Sequence, residues 1–368
     1  MSTPKRPPQL HGTDAAEKRV RLADVAQRAG VSQTAASFVL TGRREEMRIS
    51  LEVEARVLEA ARETGYRPNI LSRSLRTGTT HTIGFVSDTI ATTPFAGDLI
   101  KGALEAAHDR GRLLLIAETE GEPGLQQQLL ETMIDRQVDG IVLASMYTQK
   151  IPVPAAVRSR RVVLLNAVPA RPAPLISVIP DEIEAGRTAA RTLLNAGHGD
   201  GIYVIGVGLG PRQRPKPLGA LAATERLQGI KRTLDADGVK LAGAIPCEDW
   251  QPEFGYRAVQ QLLDDGSNVR ALICFNDRLA IGAYNALGDA SLSIPNDVSV
   301  VSFDDDPLAT WIRPQLTTIA IPHYELGRRS IERLLEATVA QGAEGQVERV
   351  AMPLRDRGSI ARPAERSA

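Results

Sequence analysis

Short apolar stripes at the front of the chain recur with the spacing of helices. One stripe runs from about Leu22 to Ala29, and a second continues to about Leu40. Gly30 favours the left-handed conformation that ends the first helix, and Ser32 is a good N-cap for the second. The pattern predicts two helices joined by a tight turn.

A third helix is predicted to begin after Ser50, its N-cap, and to end at Gly65 and Pro68. From Lys18 to Thr80 the chain carries twelve Lys or Arg and seven Asp or Glu, a net charge of +5, although the whole chain is neutral. A basic front on an acidic remainder predicts a polyanionic partner for the front alone. Short helices around a glycine turn on a basic segment are typical of a helix-turn-helix DNA-binding domain.

The second helix has an outward face that we predict reads DNA. Its apolar residues share the opposite face, so Phe38 points away from the other helices. An exposed aromatic ring suits the methyl group of thymine, which proteins read by apolar contact in the major groove. The alternative is that Phe38 folds back over Ala35 and only packs. The predicted DNA contacts of this segment are Ser32, Gln33, Thr34, Ser37 and Phe38.

After about residue 79, continuous apolar runs alternate with amphipathic segments such as residues 98–111 and 277–287. Continuous apolar strands separated by helices are typical of parallel sheets that are covered on both faces. Two sets of runs predict two doubly wound α/β lobes. The predicted strands span residues 82–88, 113–119, 138–145, 162–168, 201–208, 271–277 and 298–305.

The carboxyl ends of the predicted strands are polar, and ligands of such sheets bind beyond these ends. Carboxylates and amides share hydrogen bonds with sugar hydroxyls, and an aromatic face covers the apolar side of a sugar ring. For any one aspartate, a helix cap or a surface position is the alternative. The polar strand ends are Ser87, Asp88, Asn166, Asp181, Asn276, Asp277 and Asp304, and the aromatic residues in predicted loops nearby are Phe95, Trp250 and Trp311.

Several functional classes are disfavoured by composition and motifs. The two cysteines, Cys247 and Cys274, lie in apolar surroundings, as expected of a reduced cytoplasmic protein. The five histidines are scattered, so we expect no metal and no other cofactor. No apolar run suits a membrane span, and the first residues lack the apolar region of a signal peptide. The glycines of residues 206–210 lead into Pro211, not a helix, so the dinucleotide fingerprint fails. No catalytic constellation is evident, and we expect no enzyme activity.

Three stretches together resemble the LacI family of bacterial transcription regulators: "LADVAQRAGVSQTAASFVLTGR", "GYRPNILSRSLRTG" and "TIGFVSD". The resemblance runs from about Val20 to Ser359. It implies an N-terminal helix-turn-helix, a hinge helix and an effector domain similar to sugar-binding proteins. The chain departs from the family at two positions. Phe38 stands where Arg is common, which implies a different operator base there, and Arg21 stands where the first helix usually starts with Thr or Ser.

The hinge implied by the resemblance falls on residues 69–76, which predict two helical turns. So short a helix is not stable alone in water and needs DNA or a second copy as a partner. A simple linker is the alternative. The family counterpart of Leu75 wedges between bases in the minor groove, which bends the duplex. The predicted DNA contacts of the hinge are Asn69, Ser72, Arg73 and Leu75.

The resemblance also implies ligand contacts in the effector domain. "TERLQGI" places Arg226 at the ligand, and a surface ion pair is the alternative for this residue. The motif "FNDRLAIGAY" contributes an Asn-Asp pair, "VVSFDD" a carboxylate and "CEDW" a stacking aromatic. The predicted ligand-binding residues are Ser87, Phe95, Asp181, Arg226, Trp250, Asn276, Asp277 and Asp304.

We therefore expect a sequence-specific DNA-binding repressor whose operator affinity is controlled by a small ligand. A sugar is the predicted ligand, and the resemblance also allows purines and phosphorylated sugars. We expect a cytoplasmic, nucleoid-associated homodimer on a near-palindromic operator. No leucine heptad stands near the last residues, so a coiled-coil-linked tetramer is not expected. The alternatives are a solute-binding protein, which would have a signal peptide and no basic helix-turn-helix, and a sugar-modifying α/β enzyme, which would need an acid/base or phosphate-binding motif.

The expected domain organisation follows from these elements. The DNA-binding domain is predicted at residues 19–66, the hinge at 67–78 and the effector domain at 79–361. The flanking segments, residues 1–18 and 362–368, are predicted to be a disordered arm and a tail. Within the effector domain, the N-lobe is predicted at 79–196 and 321–348, and the C-lobe at 197–320 and 349–361.

Overall fold

The computed structural model describes residues 20–66, 78–90, 96–210, 220–337 and 345–363. The chain divides into two compact units, Met1–Thr80 and His81–Ala368. The predicted arm, most of the predicted hinge and most of the predicted tail lie outside the described residues. So do the predicted hinge contacts Asn69, Ser72, Arg73 and Leu75, and the predicted ligand residue Phe95.

The first unit contains the three predicted helices: α1 (Leu22–Ala29), α2 (Gln33–Leu40) and α3 (Leu51–Thr64). Their buried faces form one small core of Val25, Ala26, Ala29, Ala36, Val39, Val57 and Ala60. A 3₁₀ turn at Arg44–Met47, which the sequence pattern did not predict, joins α2 to α3. The predicted caps are present, since Ser32 Oγ accepts a hydrogen bond from Ala35 N at 3.1 Å.

Helix α1 begins without the side-chain cap that Thr or Ser would supply. The N-cap residue is Arg21, whose side chain makes no capping hydrogen bond. Asp24 reaches back instead, and its carboxylate accepts a hydrogen bond from Arg21 N at 2.8 Å. This carboxylate in the first turn also interacts favourably with the helix dipole. The departure from the family pattern at this position is therefore compensated three residues later.

The second unit contains two parallel sheets that alternate with helices. The helices are α4 (Ala96–His108), α5 (Pro123–Asp135), α6 (Glu182–Asn195), α7 (Ala220–Ala236), α8 (Pro252–Asp264), α9 (Asp277–Asp289), α10 (Leu308–Trp311) and α11 (His323–Glu336). The strands are β1 (Thr82–Ser87), β2 (Leu113–Glu118), β3 (Gly140–Ile151), β4 (Val162–Pro169), β5 (Ile176–Pro180), β6 (Ile202–Gly206), β7 (Gly243–Pro246), β8 (Ala271–Cys274), β9 (Ser299–Asp304), β10 (Thr317–Ala320), β11 (Gln346–Val350) and β12 (Leu354–Arg355). Within the described ranges, every helix is too short or too polar to cross a bilayer.

The strand order defines two lobes. The first sheet has the order β11-β5-β4-β3-β1-β2, and its strands are parallel. The second has the order β12-β10-β9-β8-β6-β7, and β12 runs antiparallel to β10. The chain crosses between the lobes three times, after β5, after β10 and after β11. The predicted fold, a helical domain followed in the sequence by two doubly wound lobes, is confirmed.

The predicted bounds of the lobes need two corrections. The sequence predicts α6 in the first lobe, but its buried residues, such as Ala189 and Leu193, belong to the core of the second. The first crossing therefore follows Pro180 and not residue 196. At the last crossing, β11 pairs with β5 up to Val350, two residues beyond the predicted limit of the first lobe. A helix that follows a strand of one sheet can pack on the other, and apolar periodicity does not distinguish the two.

Close packing of α6 against α7 depends on glycine, which gives a first prediction. A Cβ atom on Gly186 would lie 2.1 Å from the carbonyl oxygen of Arg226. We expect Gly186→Ala to push the helices apart and to lower the free energy of unfolding by about 1–3 kcal/mol. Gly288→Ala on α9 is the control, because its Cβ would meet nothing within 4 Å. Urea unfolding of both variants checks the prediction, and equal stabilities would contradict it.

Candidate DNA-binding face and ligand cavity

Helix α2 presents one polar face and buries the other. Ala36 and Val39 are buried in the core of the first unit, while Gln33 and Thr34 are exposed. Phe38 is half-buried and lies outside that core. Its ring faces the guanidinium of Arg43, whose Cζ atom lies 5.0 Å from the ring centroid. The remaining predicted contacts of this segment are Ser32, which is exposed, and Ser37, which is half-buried.

A cavity that is partly open to solvent lies between the two lobes of the second unit. Four predicted ligand residues meet at it: Arg226, Trp250, Asn276 and Asp304. The other lining residues are Met146, Tyr147, Asp249, Gln251, Arg278, Ile321 and His323. The cavity therefore combines charged groups with aromatic surface.

Arg226 is the buried cation of this cavity. Its Nε and Nη2 atoms donate to the two carboxylate oxygens of Glu182, at 2.5 and 3.3 Å, and its Nη1 donates to the carbonyl of Phe275 at 2.7 Å. The guanidinium also lies 4.6 Å from the ring centroid of Phe303. Burial lowers the pKa of Arg226, but the carboxylate of Glu182 outweighs it and the pKa is raised. The guanidinium is thus a fixed, permanent positive charge.

Asp304 is the carboxylate at the end of β9, and its backbone φ is +114°. Such a conformation is strained for any residue other than glycine, and strained residues cluster at functional sites. Burial raises the pKa of Asp304 well above its usual range, and the nearby Arg226 opposes this shift. A ligand hydroxyl can donate to the ionised carboxylate or accept from the protonated form. The strain and the carboxylate position make Asp304 the strongest candidate for a direct ligand contact.

Trp250 and Asn276 line the cavity but use part of their polar capacity within the protein. Trp250 Nε1 donates to the carbonyl of Gly206 at 3.2 Å, so the indole is fixed in orientation. Asn276 caps α9, where its Oδ1 accepts from Leu279 N at 2.8 Å. Its Nδ2 donates to the carbonyl of Trp250 at 3.0 Å. Both residues therefore shape the cavity as rigid elements.

Three predicted ligand residues do not line the cavity. Asp277 is fully buried beneath it, where it accepts hydrogen bonds from Ser302 Oγ at 2.5 Å and Thr318 Oγ1 at 2.7 Å. Burial raises the pKa of Asp277 to about 7. Asp181 caps α6 through Glu184 N at 3.2 Å, and Ser87 is buried at the end of β1. Asp277 is the first residue of α9 and its side chain points into the lobe, so the structure does not place this predicted contact at the cavity.

Tyr147 was missed because the predicted third strand ended at residue 145. The strand continues to Ile151 through an irregularity between Ala144 and Gln149, and this bulge brings Met146 and Tyr147 to the cavity. Asp88 holds the bulge, since its Oδ1 accepts from Met146 N at 2.9 Å. Bulges re-aim side chains next to binding sites, but their position is not visible in an apolar pattern. Trp311, by contrast, is 69% exposed and does not line the cavity.

His323 lines the cavity where the chain crosses back to the first lobe, and it gives a second prediction. Burial lowers its pKa to about 4, so the folded protein holds it neutral. Below the ordinary histidine pKa the unfolded chain binds the proton first, so stability is lost as the pH falls from about 6.5 to 4. The free energy of unfolding should therefore fall between pH 7 and pH 4.5 by about 1–2 kcal/mol less in His323→Gln than in wild type. Thermal unfolding of both proteins at pH 7 and 4.5 measures it, and parallel pH profiles would contradict it.

Comparison with known proteins agrees with this architecture. The family model of periplasmic binding proteins and the sugar-binding domain of the LacI family matches residues 80–357. The model of bacterial regulatory proteins of the lacI family matches residues 21–69. The ribose operon repressor of Escherichia coli (strain K12) is 31% identical over 347 residues, which are 91% of this chain and 98% of the repressor.

Solved structures show the same fold. A lac repressor dimer bound to operator and the anti-inducer ONPF superposes with a TM-score of 0.75 and 23% identity, and covers 94% of this chain and 100% of its own. A LacI-family regulator from Enterococcus faecium with bound ribose has a TM-score of 0.59 and 26% identity, over 76% of this chain and 99% of its own. Because one family model alone spans well over half of the sequence, the chain belongs to the LacI family of bacterial regulatory proteins.

Proposed function

We propose that this protein is a sequence-specific transcriptional repressor whose operator affinity is controlled by a sugar bound between the lobes of the second unit. The observation that carries the proposal is that Arg226 and Asp304 line the same cavity in a chain that begins with a helix-turn-helix. The protein binds DNA as a homodimer, and the operator is near-palindromic because a two-fold protein matches two half-sites.

The choice of a sugar rests on the chemistry of the cavity. Asp304 offers a carboxylate to hydroxyl groups, and Trp250 offers an aromatic face of fixed orientation. The relatives support the same class, since one is a ribose operon repressor and a solved family member holds ribose. A purine or a phosphorylated sugar is the alternative effector. A phosphorylated sugar would need a cation other than Arg226, whose guanidinium is already occupied by Glu182, and Arg278 is the other arginine that lines the cavity.

The relatives are transcriptional repressors and not enzymes, so the chain is a regulator and not an enzyme. Such repressors act on DNA in the cytoplasm, and we place this protein on the nucleoid. The predicted hinge contacts Asn69, Ser72, Arg73 and Leu75 remain part of the proposal. Leu75 is proposed to wedge into the minor groove at the operator centre, where partial unstacking bends the duplex.

Ligand binding favours one arrangement of the lobes, and we propose that this arrangement releases the operator. The ligand shifts DNA affinity only by its differential affinity for the two arrangements, typically about 1–3 kcal/mol. Linkage is reciprocal, so operator DNA lowers the affinity for the ligand by the same factor. Release is favoured because two-turn hinge helices are marginal and easily disrupted.

The test is a thermal-shift screen of sugars, followed by DNA binding with and without each sugar that stabilises the protein. A pool of random duplexes supplies the operator by selection. Enrichment of a near-palindrome whose binding weakens when the stabilising sugar is added supports the proposal. A protein that binds a sugar but enriches no DNA would be a solute-binding protein. Chemical conversion of the sugar would indicate an enzyme.

The half-buried Phe38 gives a third prediction. We expect Phe38→Ala to lose roughly 1–3 kcal/mol of preference at one symmetric base pair, because an apolar contact to a thymine methyl is removed. Titration of wild type and variant against single-base variants of the selected operator measures this loss. Loss of a phosphate contact would instead weaken all sequences alike. An unchanged operator preference would show that Phe38 only packs.

A further inference from the structure

Arg43 lies against Phe38 although the two are five residues apart and Arg43 lies beyond the end of α2. Gly42, with φ of +72°, turns the chain after the helix, and Arg43 N donates to the carbonyl of Phe38 at 2.9 Å. This turn brings the guanidinium over the ring, 5.0 Å from its centroid to Cζ. Glycine adopts this left-handed conformation without a steric penalty. The backbone therefore fixes Arg43 on the same face as Phe38.

Glu46 holds the guanidinium in place. Arg43 Nε donates to Glu46 Oε1 at 2.6 Å, and Nη2 donates to Oε2 of the same carboxylate. Both oxygens of one carboxylate thus occupy two donors on one edge of the guanidinium. The pair is at the surface, since the two side chains are 39% and 52% exposed, so a ligand of matching shape can replace the carboxylate. An exposed ion pair of this kind contributes little stability and is readily exchanged.

We propose that Arg43 is a second base-reading residue, which acts together with Phe38 and reads a guanine next to the thymine that Phe38 contacts. This inference rests on the proposed function. Guanine presents O6 and N7 to the major groove, and a bidentate arginine contact to these two acceptors is the commonest specific contact to DNA. The two acceptors lie side by side, as the two oxygens of Glu46 do. Guanine can therefore replace Glu46 while Arg43 stays on the ring.

Glu46 makes Arg43 and Phe38 selective for DNA that has guanine at this position. On DNA without guanine at this position, the carboxylate keeps Arg43 occupied and adds a negative charge that repels phosphates. A group stacked on Phe38 lies on the face that enters the groove, which favours a base edge over a phosphate as its ligand. Glu46 is then a positioning residue that lowers affinity for random DNA more than for the operator.

The test selects operators from a pool of duplexes with a randomised half-site, using wild type, Arg43→Ala, Arg43→Lys, Phe38→Ala, Glu46→Gln and the Phe38→Ala/Arg43→Ala double variant. We expect Arg43→Ala and Arg43→Lys each to lose roughly tenfold preference for guanine at one position per half-site, beside the position that Phe38→Ala affects. The double variant should lose less than the product of the two single losses, because the two side chains act as a unit. Glu46→Gln should strengthen binding to random DNA more than binding to the selected operator.

Arg62→Ala is the matched control, because Arg62 also has a glutamate partner three residues away, Glu59 at 3.1 Å, but lies on α3. It removes the same charge and should leave the selected sequence unchanged.

Uniform weakening of all sequences by Arg43→Ala, with an unchanged selected sequence, would identify a phosphate contact and overturn the inference. So would an Arg43→Lys variant with the preference of wild type. If wild type enriches no sequence, the proposed function itself fails. Thermal unfolding verifies that each variant is folded, and Arg43→Lys keeps the charge if Arg43→Ala is unstable.

Discussion

Glu182→Ala is expected to destabilise the second unit by about 3–5 kcal/mol, because it leaves the buried guanidinium of Arg226 without its counter-ion. The two side chains are only 4% and 2% exposed, so water cannot replace the lost carboxylate. The single hydrogen bond from Arg226 to the carbonyl of Phe275 does not balance a buried charge. The loss is measured by urea unfolding followed through the tryptophan fluorescence of the second unit.

Glu184→Ala is the matched control for this prediction. Glu184 lies on the same helix, two residues later, and pairs with Arg187 at 3.0 Å and Arg191 at 2.7 Å. These pairs are solvent-exposed, and such pairs contribute about 0–1 kcal/mol. If the two variants were equally stable, the pair of Glu182 and Arg226 would be no more than another surface ion pair.

A double replacement separates the loss of a pair from the burial of a lone charge. Buried ion pairs can be exchanged for apolar residues of similar volume at little cost, while removal of one partner is costly. We therefore expect Glu182→Leu/Arg226→Met to recover most of the stability that Glu182→Ala loses. The double variant should still fail to respond to the ligand, because the cavity has lost its buried arginine. The double variant is thus predicted to be nearly as stable as wild type but unresponsive to the ligand.

The same pair shows why part of the site was predictable from the sequence and part was not. Arg226, Trp250, Asn276 and Asp304 could be predicted because they occupy motifs, and three of them lie at or near strand ends. Glu182 lies in none of these motifs. It contacts Arg226 because α6 packs on the second lobe, whereas the apolar pattern predicts α6 in the first lobe. Long-range packing of this kind is set by which core a helix joins and not by its own periodicity.

Local backbone geometry at helix starts, bulges and turns accounts for other differences between expectation and structure. Asn276 and Asp277 are adjacent, but one reaches the cavity and the other points into the lobe, where hydroxyl groups satisfy it. The motif predicts both residues as ligand contacts, but only Asn276 lines the cavity. Tyr147 reaches the cavity only because β3 contains a bulge. Turn geometry at Gly42 likewise placed Arg43 against Phe38, a contact that helical periodicity cannot supply because it lies beyond the helix.

Asp304→Asn and Asp304→Gly are both expected to abolish the response to ligand while DNA binding in its absence is retained. Replacing the carboxyl group should weaken ligand binding by about 2 kcal/mol or more, roughly 30-fold, because the ligand loses its hydrogen bonds to this group in a partly desolvated site. Arg226 remains paired with Glu182 in both variants, so no buried charge is left alone. The repressor should therefore stay folded and bind its operator at every ligand concentration.

Stability distinguishes a ligand contact from a structural residue, because φ at Asp304 is +114° and glycine relieves the strain. The relief is worth about 1–3 kcal/mol, and the extra freedom of glycine in the unfolded chain costs about 1 kcal/mol. Asp304→Gly should therefore unfold at a urea concentration equal to or above that of wild type.

Asp305→Asn, at the position next to Asp304, is the control. Asp305 pairs with Arg355 and with the half-buried Arg357, away from the cavity, and its replacement should keep the ligand response. An Asp304→Gly variant that lost DNA binding as well as the response, or that unfolded more readily than wild type, would make Asp304 a structural carboxylate. A residue that lowers stability through backbone strain, but is required for the ligand response, is expected to contact the ligand directly.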